Sequence, residues 1–202
     1  MSMDRSTFAQ TLQRAIVEEF RDFRQRYPDE TPYAFALILG QVGNWLGYSV
    51  ATEQGLRRVA ADYYVKGYRY QGHAWEAFDD LEKLSAWLRW ANPDDGWLLG
   101  EFPDSSGVAG ALAFLVESGA FGEDAEELEE LCTDVLAALQ TDADWYSVTS
   151  GGRVIVGVTY GEDPRDYLRT ATRANSFNAV RRLWSEQWLC EQLSARIQPS
   201  DR

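Results

Sequence analysis

One histidine, His73, two cysteines and two lysines are all that the 202 residues hold of those three types. Zinc and iron sites draw on several His or Cys ligands, and Cys132 and Cys190 match no zinc or redox spacing. The two thiols are expected to be buried and reduced, as in a bacterial cytosol. A Ser or Cys nucleophile would have to share the single imidazole, and no G-x-S-x-G elbow occurs. "SGGRVIVG" lacks the Gly-Lys-Ser/Thr end with which a P-loop cradles phosphate. "NPDDGW" is too short for a calcium loop. No apolar run approaches the roughly 20 residues of a membrane span. "MSMDRSTFAQ" has no apolar signal core, so the expected location is cytoplasmic, away from any membrane. No metal, no cofactor and no catalytic residue is expected, and an enzyme is the less favoured class.

The largest absence is of positive charge. From Trp90 to Gly152 there is no Lys or Arg, and 14 acids stand in that segment. The remaining 18 acids are set against all 19 bases, so the net charge of −13 belongs to one stretch of the chain. A field of this sign disfavours nucleic acid, whose phosphates call for Lys and Arg. Within the stretch, "GEDAEELEEL" puts six carboxylates into ten positions. An amphipathic helix must have a polar face, which accounts for some of them. It does not account for the lack of a base at i+4 to relieve the repulsion among Glu123, Glu127, Glu130 and Asp134. Against this, Arg153, Arg165, Arg169, Arg173, Arg181 and Arg182 form a local basic run. Such a run could bind an anion, but the expectation is that it is solvated or pairs with the acidic segment within the same molecule.

What is present is ample material for a core: 45% hydrophobic residues and 13% aromatics. Phe8, Leu12, Ile16, Phe20 and Phe23 recur at helical spacing after a cap at Ser6, and Tyr27-Pro28 ends that helix. "TPYAFALILG" reads as a central strand, with Tyr33, Phe35, Leu37 and Leu39 on one face and Ala34, Ala36 and Ile38 on the other. A second strand is expected near Trp45 to Ala51. Thr52 then caps a helix containing Leu56, Val59 and Ala60. "YVKGYRYQGHAW" reads as a strand or an ordered loop, followed by a helix from about Trp75 to Trp90. Asp104 or Ser105 caps a short apolar helix that Gly119 ends. Leu128, Leu131, Val135, Leu136 and Leu139 form the stripe of the acidic helix, and the two helices are expected to make a hairpin. "GGRVIVGVTYGEDP" is a strand between glycines. A final helix from about Ser176 to Ile197 is expected to turn Phe177, Val180, Trp184, Trp188, Leu189 and Leu193 inward. With no repeat and no linker, residues 1–202 form one α+β domain. Its fold is one mixed or antiparallel sheet of three to five strands, covered by helices and carrying an acidic helical hairpin.

The segments "PYAFALI", "YSVATEQGLRRVAADYY", "YRYQGHAWEAF" and "VIVGVTYGEDP", with "TRANS" before the last helix, resemble the bacterial domain-of-unknown-function family 4303 over nearly the whole chain. "HAWEAF" and the long acidic insertion around residues 94 to 144 depart from the family's pattern. The resemblance implies no catalytic residue. It implies a place for some relatives in toxin–immunity gene clusters.

Two functions follow as expectations. The first is a non-enzymatic cytosolic binding protein of immunity type that neutralises a basic toxin through an acidic face. Its contacts would be Glu126, Glu127, Glu130 and Asp134, with Asp94 and Asp95 beside one or two exposed tryptophans out of Trp45, Trp87, Trp90 and Trp97. The second is a small enzyme or ligand-binding protein with a pocket near Tyr70, His73, Trp75 and Glu76.

Overall fold

The computed structural model describes residues 4–40, 43–66, 69–70, 73–74, 81–91, 97–121, 125–151, 153–160 and 164–185. The elements in chain order begin α1 (Arg5–Arg26), β1 (Pro32–Leu39), β2 (Leu46–Thr52) and α2 (Glu53–Lys66). They continue with β3 (Arg69–Tyr70), β4 (His73–Ala74), α3 (Leu81–Ala91), β5 (Leu98–Glu101) and α4 (Val108–Glu117). The last are α5 (Glu126–Leu139), α6 (Ala143–Val148), β6 (Ile155–Thr159) and α7 (Pro164–Ala174), and residues 177–185 are helical again.

β1 carries no charged side chain, so it needs cover on both faces, and it lies inside a four-stranded sheet of order β5-β2-β1-β6. β1 pairs antiparallel with β2 and parallel with β6, and β2 pairs antiparallel with β5. The sheet is therefore mixed. On one face Phe35, Leu37, Leu39, Val50, Val156 and Val158 meet Phe8, Leu12, Ile16 and Phe20 of α1, together with residues of α4, α5 and Trp145 of α6. Each such side chain, fully buried, contributes about 1.5–3 kcal/mol. On the other face Ala34, Ala36, Ala51 and Ile155 meet Leu56 and Ala60 of α2, Leu84 and Leu88 of α3, and Tyr167 and Ala171 of α7. The α+β architecture is that expected, and α4 and α5 both pack on α1.

Several local expectations change. The cap of α1 is Asp4, whose Oδ1 accepts from the Thr7 N–H at 2.8 Å, and not Ser6. A 3₁₀ turn over Asp104–Ser106 and Gly107 at φ 76° precede α4, so neither Asp104 nor Ser105 caps it directly. Tyr33 leaves the Phe35 face, because the β1–β2 register shifts between Pro32 and Ala34, and it packs with Trp90 and Trp97 on the other side. Thr52 does cap α2, accepting from the Gly55 N–H at 2.9 Å.

The final helix presents a different stripe. Phe177 and Trp184 are 80% and 51% exposed, while Leu183 is buried and Ala179 packs beside it. The chain enters this helix from Asn175, whose side chain bonds both backbone groups of Val156. That anchor fixes the angular phase, and the phase turns the i, i+4 pair Ala179 and Leu183 inward instead of the larger aromatics. Trp188, Leu189 and Leu193 lie outside the described residues.

Candidate protein-binding site

α5 sorts its acids into two kinds. Leu128, Glu129, Cys132, Thr133, Val135, Leu136 and Leu139 are its buried residues. Glu129 follows the apolar register i, i+3, i+4, i+7 with Cys132, Thr133 and Leu136, so the helix carries a carboxylate into the packed side. There its two oxygens accept from Nη1 and Nη2 of Arg169, on α7, at 2.7 and 2.6 Å. This bidentate form is the strong kind of ion pair. It raises the affinity of Arg169 for its proton, chiefly through the hydrogen bond to Glu129. Burial, and then the charge and hydrogen bond of Glu129, push Tyr160 up to about 12. Burial, with Glu129 nearby, also pushes the Cys132 thiol far up.

The remaining acids of α5 face solvent. Glu126, Glu127, Glu130 and Asp134 are exposed. Glu127 pairs with Arg5 at the start of α1, whose guanidinium also bonds the Ala120 carbonyl. Glu130 and Asp134 have no basic partner among the described residues. At a rise of about 1.5 Å per residue, Glu126, Glu130 and Asp134 follow one another at steps of about 6 Å along one line. Of the other segment acids, Asp142 caps α6 by accepting from the Trp145 N–H at 2.9 Å, and it accepts from Gln13 Nε2 at 3.1 Å.

The structure thus brings four of the six expected contacts, Glu126, Glu127, Glu130 and Asp134, onto one helix face. Asp94 and Asp95 lie outside the described residues. Of the four candidate tryptophans, Trp45 is 42% exposed, Trp90 and Trp97 are buried in the second core, and the side chain of Trp87 lies outside the described residues. For the alternative pocket, the backbones of Tyr70 and His73 pair in the β3–β4 hairpin. Their side chains, and all of Trp75 and Glu76, lie outside the described residues. Among the described residues, no group of three or more His, Cys, Asp or Glu could hold a metal ion. No described helix is long and apolar enough to cross a membrane.

The intramolecular clamp by Arg169 was within the sequence reading of the basic run as a partner of the acidic segment. The burial of Glu129 is a departure from a helix whose acids all lie outside its apolar stripe. Its signal in the sequence is the spacing to Cys132, Thr133 and Leu136.

No curated protein and no solved structure matches the chain. The family match ends at residue 94, before the acidic segment, and takes in neither "VIVGVTYGEDP" nor "TRANS". From the middle of α1 through α3, residues 12–94, the chain resembles the family described as a domain of unknown function (DUF4303).

Proposed function

We propose that this protein is a binding module that takes up a basic protein on the exposed line of α5. The observation that carries the reading is the division of the acids on that helix. Arg5 and Arg169 engage Glu127 and Glu129, while Glu130 and Asp134 stand in solvent without a base among the described residues, and Glu126 continues their line. Acids needed only for solubility tolerate interleaved Lys or Arg, which would relieve repulsion at i+4. A line of one sign raises the rate of encounter with an oppositely charged partner and favours that partner over others. An immunity-type protein that neutralises a basic toxin is the form of this reading that the family resemblance suggests.

The test is charge reversal at Glu126, Glu130 and Asp134 to Lys, which leaves the Arg5 and Arg169 pairs in place. Lys forms helix as readily as Glu, so folding is retained. Wild type captures a basic protein from the native cytosol. Its association rate falls steeply as the Debye length shrinks from about 30 Å at 0.01 M salt to about 8 Å at 0.15 M. The reversed protein loses that capture. Equal capture with equal salt dependence by both forms shows the line to be solvated surface and nothing more.

A further inference from the structure

The two edges of the sheet are finished differently. On β6 the outward backbone groups are taken by side chains of the α7 region. Asn175 Oδ1 accepts from the Val156 N–H at 3.0 Å, and its Nδ2 donates to the Val156 carbonyl at 2.7 Å. Thr170 Oγ1 accepts from the Val158 N–H and lies 2.8 Å from the Val158 carbonyl. β5 ends the sheet on the other side, and no described strand pairs with its outer edge. Leu99, in mid-strand, is 66% exposed, and Glu101 is exposed beside it. An edge strand presents unpaired N–H and C=O groups to any incoming strand.

The surroundings of β5 select what can be added. Leu98 packs into the first core, so Gly100 shares that side and Leu99 and Glu101 point to the other. A Cβ on Gly100 would meet the Tyr48 ring at 2.4 Å, so that ring lies directly on the strand. A hollow of about 60 Å³ opens there, lined by Glu19, Asp22, Arg26, Tyr27, Tyr48 and Leu99, among others. Glu19 accepts from the Tyr48 hydroxyl at 2.6 Å, which holds its carboxylate beside the ring. Two acids, Glu19 and Asp22, therefore stand against Arg26 on the Tyr48 side with two aromatic rings at hand, and a third, Glu101, stands on the other side of the strand.

We infer that β5 accepts an extended segment of a partner protein as a fifth strand, with a basic residue set toward Tyr48, Glu19 and Asp22 and an apolar residue beside Leu99. Main-chain hydrogen bonds supply affinity in such strand addition, and alternate side-chain positions supply specificity. Neighbouring strands lie about 5 Å apart, so residues on the added strand reach these side chains directly. A basic side chain there meets carboxylates and a ring face together. A second copy of this chain is disfavoured as the occupant, because pairing β5 with itself sets the three acids of each copy against those of the other. The inference is independent of the α5 line.

Nine-residue acetylated peptides test it, with Lys at alternate positions and Val between, and with Glu replacing Lys in a matched set. Binding is followed by hydrogen exchange at the amides of residues 98–101. The Lys peptide slows exchange there, and the Glu peptide binds at least fivefold more weakly. Leu99→Lys, on a side chain already in solvent, reduces Lys-peptide affinity at least fivefold while unfolding in urea is unchanged. Asp22→Lys, on α1, does the same and narrows the preference for Lys over Glu. Absence of protection at 98–101, or equal binding of both peptides, overturns the inference. So does a concentration-dependent dimer that Leu99→Lys abolishes, since the edge then belongs to a second copy.

Discussion

Glu129 on α5 and Arg169 on α7 join two helices that cover opposite faces of the sheet, closing around its β6 edge through hydrogen bonds of 2.7 and 2.6 Å. The carboxylate is nearly fully buried and the guanidinium is half exposed. Removing the base alone leaves a buried charge without its partner. Arg169→Ala is therefore expected to destabilise by about 3 kcal/mol, at the low end for a broken buried pair because Arg169 is half in water. Glu130→Ala, on the exposed line of the same helix, stays within about 0.5 kcal/mol of wild type. Urea unfolding of both variants checks the contrast. Equal, small effects would show that Glu129 does not depend on Arg169.

The difference between those two glutamates also marks how far the sequence could be read. A strand apolar on both sides had to be internal, and β1 is. Thr52 before a helical pattern had to cap it, and it does. The stripe of α5 is legible because the core needs a continuous apolar row. A buried acid within that row is not, because its partner lies 40 residues away and is supplied only by the tertiary fold. The last helix is illegible for a related reason. Residue size points Phe177 and Trp184 inward, but the phase is set by Asn175 on the backbone of Val156. The exposed members of the candidate site were legible as charge pattern alone.

The side-chain caps on β6 predict a measurable loss. Thr170→Val keeps the shape and removes the hydroxyl, leaving the Val158 N–H and C=O without that partner. A buried backbone group left unsatisfied costs about 1–3 kcal/mol. Asn175→Leu does the same at Val156. Both variants should unfold at lower urea, exchange the amides of Val156 and Val158 faster, and aggregate more readily through the opened edge. Thr170→Ser retains the hydroxyl and should stay near wild type. If Thr170→Val matches Thr170→Ser in all three readouts, the cap has no energetic role.

Alkaline pH should weaken the fold in a defined window. Burial and Glu129 raise Tyr160 from its ordinary 10.0 to about 12, and burial raises Tyr48 and Tyr167 as well. The folded state then keeps protons that the unfolded state releases. The associated stability is fully present below pH about 10 and falls as pH rises toward 12. A fully buried tyrosine such as Tyr167 adds a slope of about 1.4 kcal/mol per pH unit inside its window, and Tyr160, partly open to solvent, adds less. Urea unfolding from pH 9 to 12 measures the slope, and Tyr160→Phe should reduce it by less than one proton's share. An unchanged slope in that variant would mean that Tyr160 titrates alike in both states.

Two glycines should respond to alanine with opposite signs. At Gly157, in β6, an added Cβ would stand 2.7 Å from the Tyr167 ring and 3.1 Å from its carbonyl oxygen. The ring has little room to retreat. Its hydroxyl donates to the Ile155 carbonyl at 2.9 Å, it stacks with Trp90 at 5.9 Å, and it meets Trp97 edge-on at 5.6 Å. Forcing a methyl into so closed a site costs about 1–3 kcal/mol through displaced side chains and backbone. The smaller entropy of an unfolded chain with Ala in place of Gly returns only about 0.4–1 kcal/mol. Gly157→Ala is therefore destabilising on balance. At Gly110, on the exposed side of α4, nothing lies within 4 Å of the added Cβ. Gly110→Ala gains the helix preference of alanine, about 1 kcal/mol, with no clash to offset it. Urea midpoints should move down for the first variant and up for the second. An upward shift for Gly157→Ala would mean that Tyr167 does not rest on β6, and the packing of the second face would have to be redrawn around that ring.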